Sequence, residues 1–537
     1  MAFVTVGNGV STFVVTVLTF YLLQFAFATR RSSSLPPGPP TLPILGNLHQ
    51  IPLKKSYLKF QEWSKTYGAI VSLKIGPGDL IILNSARIVR DLLDKRGGIY
   101  SSRPPNHVAA NIVTRDNTHL LLMPYGPEWR AQRKVYQSIL SPTAVTKYQP
   151  LQEAEAILTL QQLFQSPQKY YDSIRRYSIA VILSAVFGVR GPDYNHPDVQ
   201  RLYHAQDQFA AILELGATPP VDVFPILKYV PRFFAPWRTW ALNIRAEQRE
   251  LYTELLQRVK TRREHGIQRN SFVDQLITEQ SQNGLDDEHI AYIGGVLMEG
   301  GSETTASTLL AFLMAMAKYP QVLEKAQKAV DAVCGTDRSP NFQDIKDLPY
   351  IKCIVNEVLR WRPVAAGGVP HALIQDDVYK GYHFRKGTVF LANTWALHHD
   401  PELYDCPEQF IPERFESNEN GYKEGASVPD GTRVTYGFGA GRRICPGIHL
   451  ADNSLLINIS KIVWAFDITP GEDFVTGRRL LSHQILDSVE TEWTDGLLTV
   501  PKPFPLALRV RSARHQDIVN RECTEAREVF SGYEDKS

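Results

Sequence analysis

The 537-residue sequence predicts a mainly α-helical chain with small β-sheets, carried on a single N-terminal transmembrane helix. Three observations predict this class. Val10–Ala28 is free of charge and dominated by Phe, Val and Leu. From about Ala144 to Leu310 the pattern is mostly helical, interrupted by Gly216–Pro236. Short alternating apolar runs at Ile70–Ile75, at Leu80–Leu83 and between Ile374 and Leu391 are set off by glycine turns at Gly76, Gly78, Gly381 and Gly387.

Composition narrows the function classes. With 43% hydrophobic residues, 21% charged and a formal net charge of +2, the chain is ordinary and globular, and nothing in it argues for a nucleic-acid partner. Five cysteines, odd in number and without Cys-x-x-Cys spacing, disfavour a disulfide framework and a zinc site, and they suit a reducing compartment.

Residues 1–31 read as a membrane anchor. Val10–Ala28 at helical rise covers about 28 Å, close to the roughly 30 Å hydrocarbon thickness. Arg30 and Arg31 follow and place the body on the cytoplasmic side. A cleaved signal peptide is the competing reading, because Ala26-Phe27-Ala28 has the small-x-small form of a cleavage site. Against it, no Lys or Arg precedes the apolar run. Residues 32–40 form a stiff proline-rich hinge, and residues 41–511 form one body without an evident boundary. Residues 512–537, polar and weakly patterned, are expected to be a loose tail. Gly216–Pro236 is apolar yet broken by prolines, which on the residues alone reads as a packed loop inside the body.

Asp286 can cap a helix running to Lys318 and ended by Tyr319-Pro320, about 50 Å long. Gly300-Gly301-Ser302-Glu303-Thr304-Thr305 lies in its middle. Each interior glycine costs about 1 kcal/mol relative to alanine, so the pair needs a reason: tight helix packing, or room for a flat cofactor. Glu303 and Thr304 add an acid and a hydroxyl, the equipment for delivering protons in a nearly dry site.

Chemistry concentrates near Cys445. It sits on a glycine-rich loop facing a helix start, where backbone N–H groups favour a thiolate. A buried free cysteine at a turn is the plain alternative. Glu357 and Arg360 lie one turn apart, a spacing that alone means only a surface ion pair worth under about 1 kcal/mol. Arg414 follows in Pro412-Glu413-Arg414-Phe415. Trp129 and Arg133, four apart after Tyr125-Gly126-Pro127, could equally be a solvated helix face. His371 could be a cap or a surface histidine.

The pattern Phe438-x-x-Gly441-x-Arg443-x-Cys445-x-Gly447 resembles the haem-binding loop of the cytochromes P450, with every fixed position present. Gly300–Thr304 is similar to the family's distal-helix motif, and the resemblance extends over about residues 35–511. It implies the P450 fold and haem b, with Cys445 as axial iron ligand. It also implies Trp129, Arg133, His371, Phe438, Gly441 and Arg443 around the haem, and Glu303 and Thr304 as the catalytic proton-delivery pair. Glu357, Arg360 and Arg414 become a buried structural cluster behind the haem, and Val364–Val369 a wall of the pocket. Gly216–Pro236 looks like the family's substrate entrance, which often touches the bilayer.

The activity implied is monooxygenation of a lipophilic small molecule with O2, with electrons from an NADPH–cytochrome P450 reductase. Arg130, Arg133 and Lys134 are a candidate docking patch for that donor, although a chance solvated cluster is the competing reading. The expected location is the endoplasmic reticulum membrane, single-pass, with the body facing the cytoplasm. The wording Tyr436–Gly447, with Gly368-Val-Pro-His371 upstream, looks most like fungal members that tailor secondary metabolites such as terpenoids, polyketides or indole alkaloids. Alternatives are a haem-thiolate isomerase or dehydratase acting without O2, and a non-catalytic haem sensor.

Overall fold

The computed structural model describes residues 26–114, 118–427 and 431–534, with Thr16, Thr19, Leu23 and Gln24. The expected transmembrane helix at Val10–Ala28 lies for the most part outside them. Among the described residues no helix is long and apolar enough to cross a membrane.

The longer helices are α1 (Ser56–Tyr67), α2 (Pro127–Leu140), α3 (Gln149–Gln165), α4 (Tyr170–Phe187), α5 (Pro197–Leu213) and α6 (Pro236–Glu264). They continue as α7 (Asp287–Lys318), α8 (Pro320–Cys334), α9 (Pro349–Trp361), α10 (Ile448–Ala465) and α11 (Ala513–Ser531). Prolines open α2, α5, α6, α8 and α9, where their missing N–H is an orphan in any case. The organising element is α7. Asp286 caps it by accepting the His289 N–H at 2.8 Å, and Leu309–Met316 are wholly buried. This half of α7 joins α3, α4, α8, α9 and α10 in one core, and its N-terminal half packs with α2, α5 and α6 in a second. A helix buried all round in this way reads as apolar all round.

Strands β1 (Ile70–Ile75) and β2 (Gly78–Leu83) form the antiparallel hairpin expected at Gly76, whose φ is +56°. Strand β2 runs parallel to β6 (Val389–Ala392), which pairs antiparallel with β3 (His371–Ala372). Hairpins β4–β5 (Asp377–Tyr379, Tyr382–Phe384) and β7–β8 (Phe466–Pro470, Leu506–Val510) are separate.

Two expectations change. The proline hinge docks on the body: Ser72 donates its N–H to Pro37 O at 3.0 Å, and Arg31 donates to Gly38 O at 2.6 Å and Ser72 O at 3.0 Å. The loose tail at 512–537 is instead a helix through Ser531. Ser512 caps it, and Ile518, Val519, Cys523, Ala526 and Phe530 bury an apolar stripe, with α11 packed along α3. Apart from the buried His515, its polarity belongs to the outward face. Gly216–Pro236 does interrupt the helices, and it is packed only in part: Val221 and Ala235 are buried, whereas four of its large apolar side chains are not. Ile226, Tyr229, Phe233 and Phe234 are 74%, 81%, 89% and 71% exposed.

Candidate active site

The loop 438–447 is a turn that closes on itself, because Cys445 donates its N–H to Phe438 O at 2.9 Å. Gly441 has φ +65°, and a Cβ there would lie 2.2 Å from Leu93 O, so only glycine fits. Asp94 accepts the Gly441 N–H at 2.7 Å and so pins the loop. Cys445 lines a cavity of about 400 Å³ beneath α7. Burial pushes its thiol up, while the Gly447 N–H and the Arg133 guanidinium favour the thiolate.

Cations gather on one side of this cavity without a carboxylate partner among the described residues. Arg443 donates to the carbonyls of Ser101, Leu120 and Met123 at 2.7, 3.0 and 2.5 Å. Its guanidinium lies 4.5 Å from the Trp129 ring centroid. Arg103 donates to Leu121 O at 2.8 Å and Pro370 O at 2.5 Å. Burial drives Arg103 down to about 9. Arg443 is driven to about 8 by burial, then by Arg103 and Arg133. Trp129 Nε1 and Arg133 Nε are buried donors without a partner among the described residues, although Arg133 Nη2 reaches Ile444 O at 2.6 Å. His371 shares its Nδ1 with Tyr100 O at 2.8 Å, and burial followed by Arg103 lowers it to about 3.

Orphaned donors and clustered cations call for anions. The two carboxylates of an iron porphyrin, with Cys445 as the thiolate ligand, match that need. Sequence reasoning missed Arg103, a lone arginine before Pro104 whose place on the cavity wall depends wholly on tertiary contacts. Of the expected basic patch, Arg130 and Lys134 are exposed, whereas Arg133 is buried in the cavity wall.

The ionic cluster behind the loop is present. Glu357 accepts two bonds from Arg360 at 2.8 Å, one from the Ile411 N–H at 2.7 Å and one from Arg414 Nε at 3.1 Å. Arg360 spends its remaining donors on the carbonyls of His398, Pro407 and Gln409. Burial and then Arg360 hold His398 near 3, so its Nε2 accepts the Tyr436 N–H at 2.9 Å. The cluster thus reaches the cysteine loop through one histidine.

Across the cavity, the glycine pair of α7 serves two ends. A Cβ on Gly301 would meet Ile182 at 2.7 Å, so this glycine allows α7 to approach α4. A Cβ on Gly300 would meet nothing within 4 Å, and this residue lines the cavity. Thr304 lines it too, with Oγ1 donating to Gly300 O at 2.9 Å. Glu303 departs from expectation. It is adjacent to Thr304 in sequence but is not on the cavity wall, because one residue of helix turns a side chain by about 100°. Its carboxylate accepts Arg175 Nη2 at 3.0 Å and Nε at 3.2 Å, and Arg175 also donates to Tyr194 OH at 2.8 Å. Burial pushes the Glu303 carboxyl up, and Arg175 pulls against it. Val364, Ala365, Gly368 and Val369 line the cavity as expected.

The sequence model of the family described as Cytochrome P450 matches residues 36–482. Cytochrome P450 monooxygenase atE of Aspergillus terreus is 38% identical over 521 residues, 96% of this chain and 95% of the relative. Cytochrome P450 monooxygenase patH of Aspergillus clavatus is 38% identical over 520 residues (96% and 97%). Cytochrome P450 monooxygenase yanC of Aspergillus niger is 38% identical over 526 residues (96% and 97%). By these matches the chain, with its thiol, clustered cations and glycine-opened helix, belongs to the cytochrome P450 family, as a haem-iron monooxygenase supplied with electrons by a reductase.

Proposed function

We propose that this monooxygenase hydroxylates or epoxidises a lipophilic small molecule in fungal secondary metabolism, using haem b held by Cys445. The observation that carries the reading is a thiol on the floor of a cavity whose cations and buried donors have no anion of their own. Haem held there by Cys445 would supply oxygen activation. Arg103, Trp129, Arg133, His371 and Arg443 would hold its propionates. Gly447 N–H and Arg133 steady the sulfur anion, and Phe438 and Gly441 shape the loop around it. Insertion of one oxygen atom consumes two protons and two electrons and releases water.

In this reading Thr304 holds a proton at Oγ1, beside the open Gly300 backbone. Glu303 serves behind it as a relay, its proton traded against the Arg175 pairing and drawn from the exposed side at Asp207, whose carboxyl burial also pushes up. Relatives named from Aspergillus and the wording of the cysteine loop support the metabolic setting. The apolar 10–28 run and the exposed Phe233 and Phe234 support membrane attachment, with the body on the cytoplasmic face of the endoplasmic reticulum. The exposed Arg130, Lys134 and Arg442 suit an acidic reductase surface.

The test is the absorption of the reduced, carbon monoxide-treated protein. A thiolate-type band that Cys445→Ser abolishes is expected; an imidazole-type band, or no haem uptake, overturns the reading. An isomerase would need no Thr304, so full activity of Thr304→Ala without oxygen consumption would favour that alternative.

A further inference from the structure

Glu299 is the group on the cavity wall that oxygen activation leaves unexplained. It lies on α7, about 7.5 Å along the axis from Thr304, on the wall of the same cavity as Cys445. Its carboxylate accepts Gln248 Nε2 at 2.7 Å and Tyr252 OH at 2.6 Å, and meets His119 Nε2 at 2.8 Å. Since Nδ1 of His119 accepts the Leu121 N–H at 3.2 Å, Nε2 is the donor toward Glu299. Phe209 stacks on that imidazole, with centroids 5.0 Å apart, and fixes it. A carboxylate offers about four acceptor positions, and three are occupied. Gln206 stands on the same wall, where its Oε1 accepts from Ser302 Oγ, three residues along α7 from Glu299. The Gln206 amide N–H pair has no partner among the described residues.

A structural tie between α6 and α7 would explain the Gln248 and Tyr252 bonds, and a neutral side chain could make such a tie. It does not explain why a carboxylate, and not a neutral amide, is set into a wall that is otherwise largely apolar, where desolvating a charge is costly. Resting on the monooxygenase reading, we propose that Glu299 and Gln206 bind a hydroxyl group of the substrate and so set which carbon is turned toward Cys445. A hydroxyl donates to the open position of Glu299 and accepts from Gln206. An ether cannot donate and an ammonium cannot accept, so both satisfy the pair less well.

The experiment titrates the full-length haem-loaded protein with 1-naphthol, 1-methoxynaphthalene and 1-naphthylmethylammonium, reading the ligand-induced shift of the haem absorption. Naphthol is expected to bind at least about tenfold more tightly than its methyl ether and than the ammonium. In Glu299→Leu the naphthol-to-ether ratio should fall to near one, with the carbon monoxide spectrum unchanged. Gln206→Leu, which leaves the Tyr252 and Gln248 bonds in place, should cut the ratio several-fold and decides the matter if Glu299→Leu does not fold. Equal binding of naphthol and ether by the wild type, a ratio kept in the folded variants, or preference for the ammonium overturns the proposal. Because binding is read without turnover, loss of the thiolate spectrum would count against the monooxygenase reading and not against this one.

Discussion

Glu303 shows how one residue's role depends on the direction its side chain takes. Beside Thr304 in sequence it looks like half of an acid–alcohol pair at the oxygen site, yet its carboxylate turns to Arg175 and away from the cavity. The two residues should therefore fail differently. Thr304→Ala is expected to keep haem content and to lower product formed per NADPH several-fold, the remainder appearing as peroxide. Glu303→Gln is expected to slow turnover while leaving that ratio near the wild-type value. Both follow from stoichiometric measurement of NADPH, peroxide and product. His371 offers a test by pH. Its folded pKa of about 3 lies below the ordinary histidine value near 6.5, so the unfolded chain binds more protons between those limits. The stability of the haem-free protein therefore falls as pH drops through that window. A bound propionate favours the charged imidazole, so loading haem should reduce the slope, and His371→Gln should reduce it in the haem-free protein, the remainder coming from the buried His398 and His399. Melting temperatures between pH 7 and pH 5 check the sign.

At the scale of elements, α7 carries two demands in adjacent residues. Gly301 fits against Ile182 of α4 and Gly300 opens on the cavity. Gly301→Val is expected to destabilise the fold by about 1–3 kcal/mol through overpacking, seen as a lower denaturation midpoint. Gly300→Ala, whose Cβ meets nothing, should be neutral or stabilising by up to about 1 kcal/mol and act on ligand affinity. The cluster under the cysteine loop is the second element-scale device. Removing Glu357 leaves two buried guanidinium groups and the Ile411 N–H without their acceptor, a change worth roughly 3–5 kcal/mol. Glu357→Ala is expected to yield haem-free, aggregation-prone protein, and normal haem content in that variant would contradict the structural role. Much at this scale was legible in the sequence. The Asp286 cap, the Pro320 stop, the Gly76 hairpin and the break at Gly216–Pro236 are local signals. The terminal helix α11 was not read. Its stripe of Ile518, Val519, Cys523, Ala526 and Phe530 is sparse among charges and makes sense only once α3 lies beneath it.

For the whole molecule, the exposed Ile226, Tyr229, Phe233 and Phe234 put an apolar surface on the body itself. Replacing both phenylalanines by Asp in an anchor-deleted protein is expected to lower its partition onto phospholipid vesicles, measured by co-sedimentation; unchanged partition would remove the entrance loop from the membrane contact. Truncation after Arg511 should lower the melting temperature, because it strips the cover from the α3 face that α11 buries.

What the sequence determined by itself was the chemistry carried by contiguous residues: the Cys445 loop, the glycine-opened helix and the Glu357–Arg360 spacing, each needing only neighbours along the chain. The tertiary structure decided whatever depends on segments far apart. It brought Arg103 beside Arg443, turned Glu303 to Arg175, and set Glu299 against Gln248, Tyr252 and His119 at the cavity wall. Local backbone geometry fixes the first kind of arrangement, whereas desolvation and pairing of buried charges, which no short window of sequence contains, settle the second.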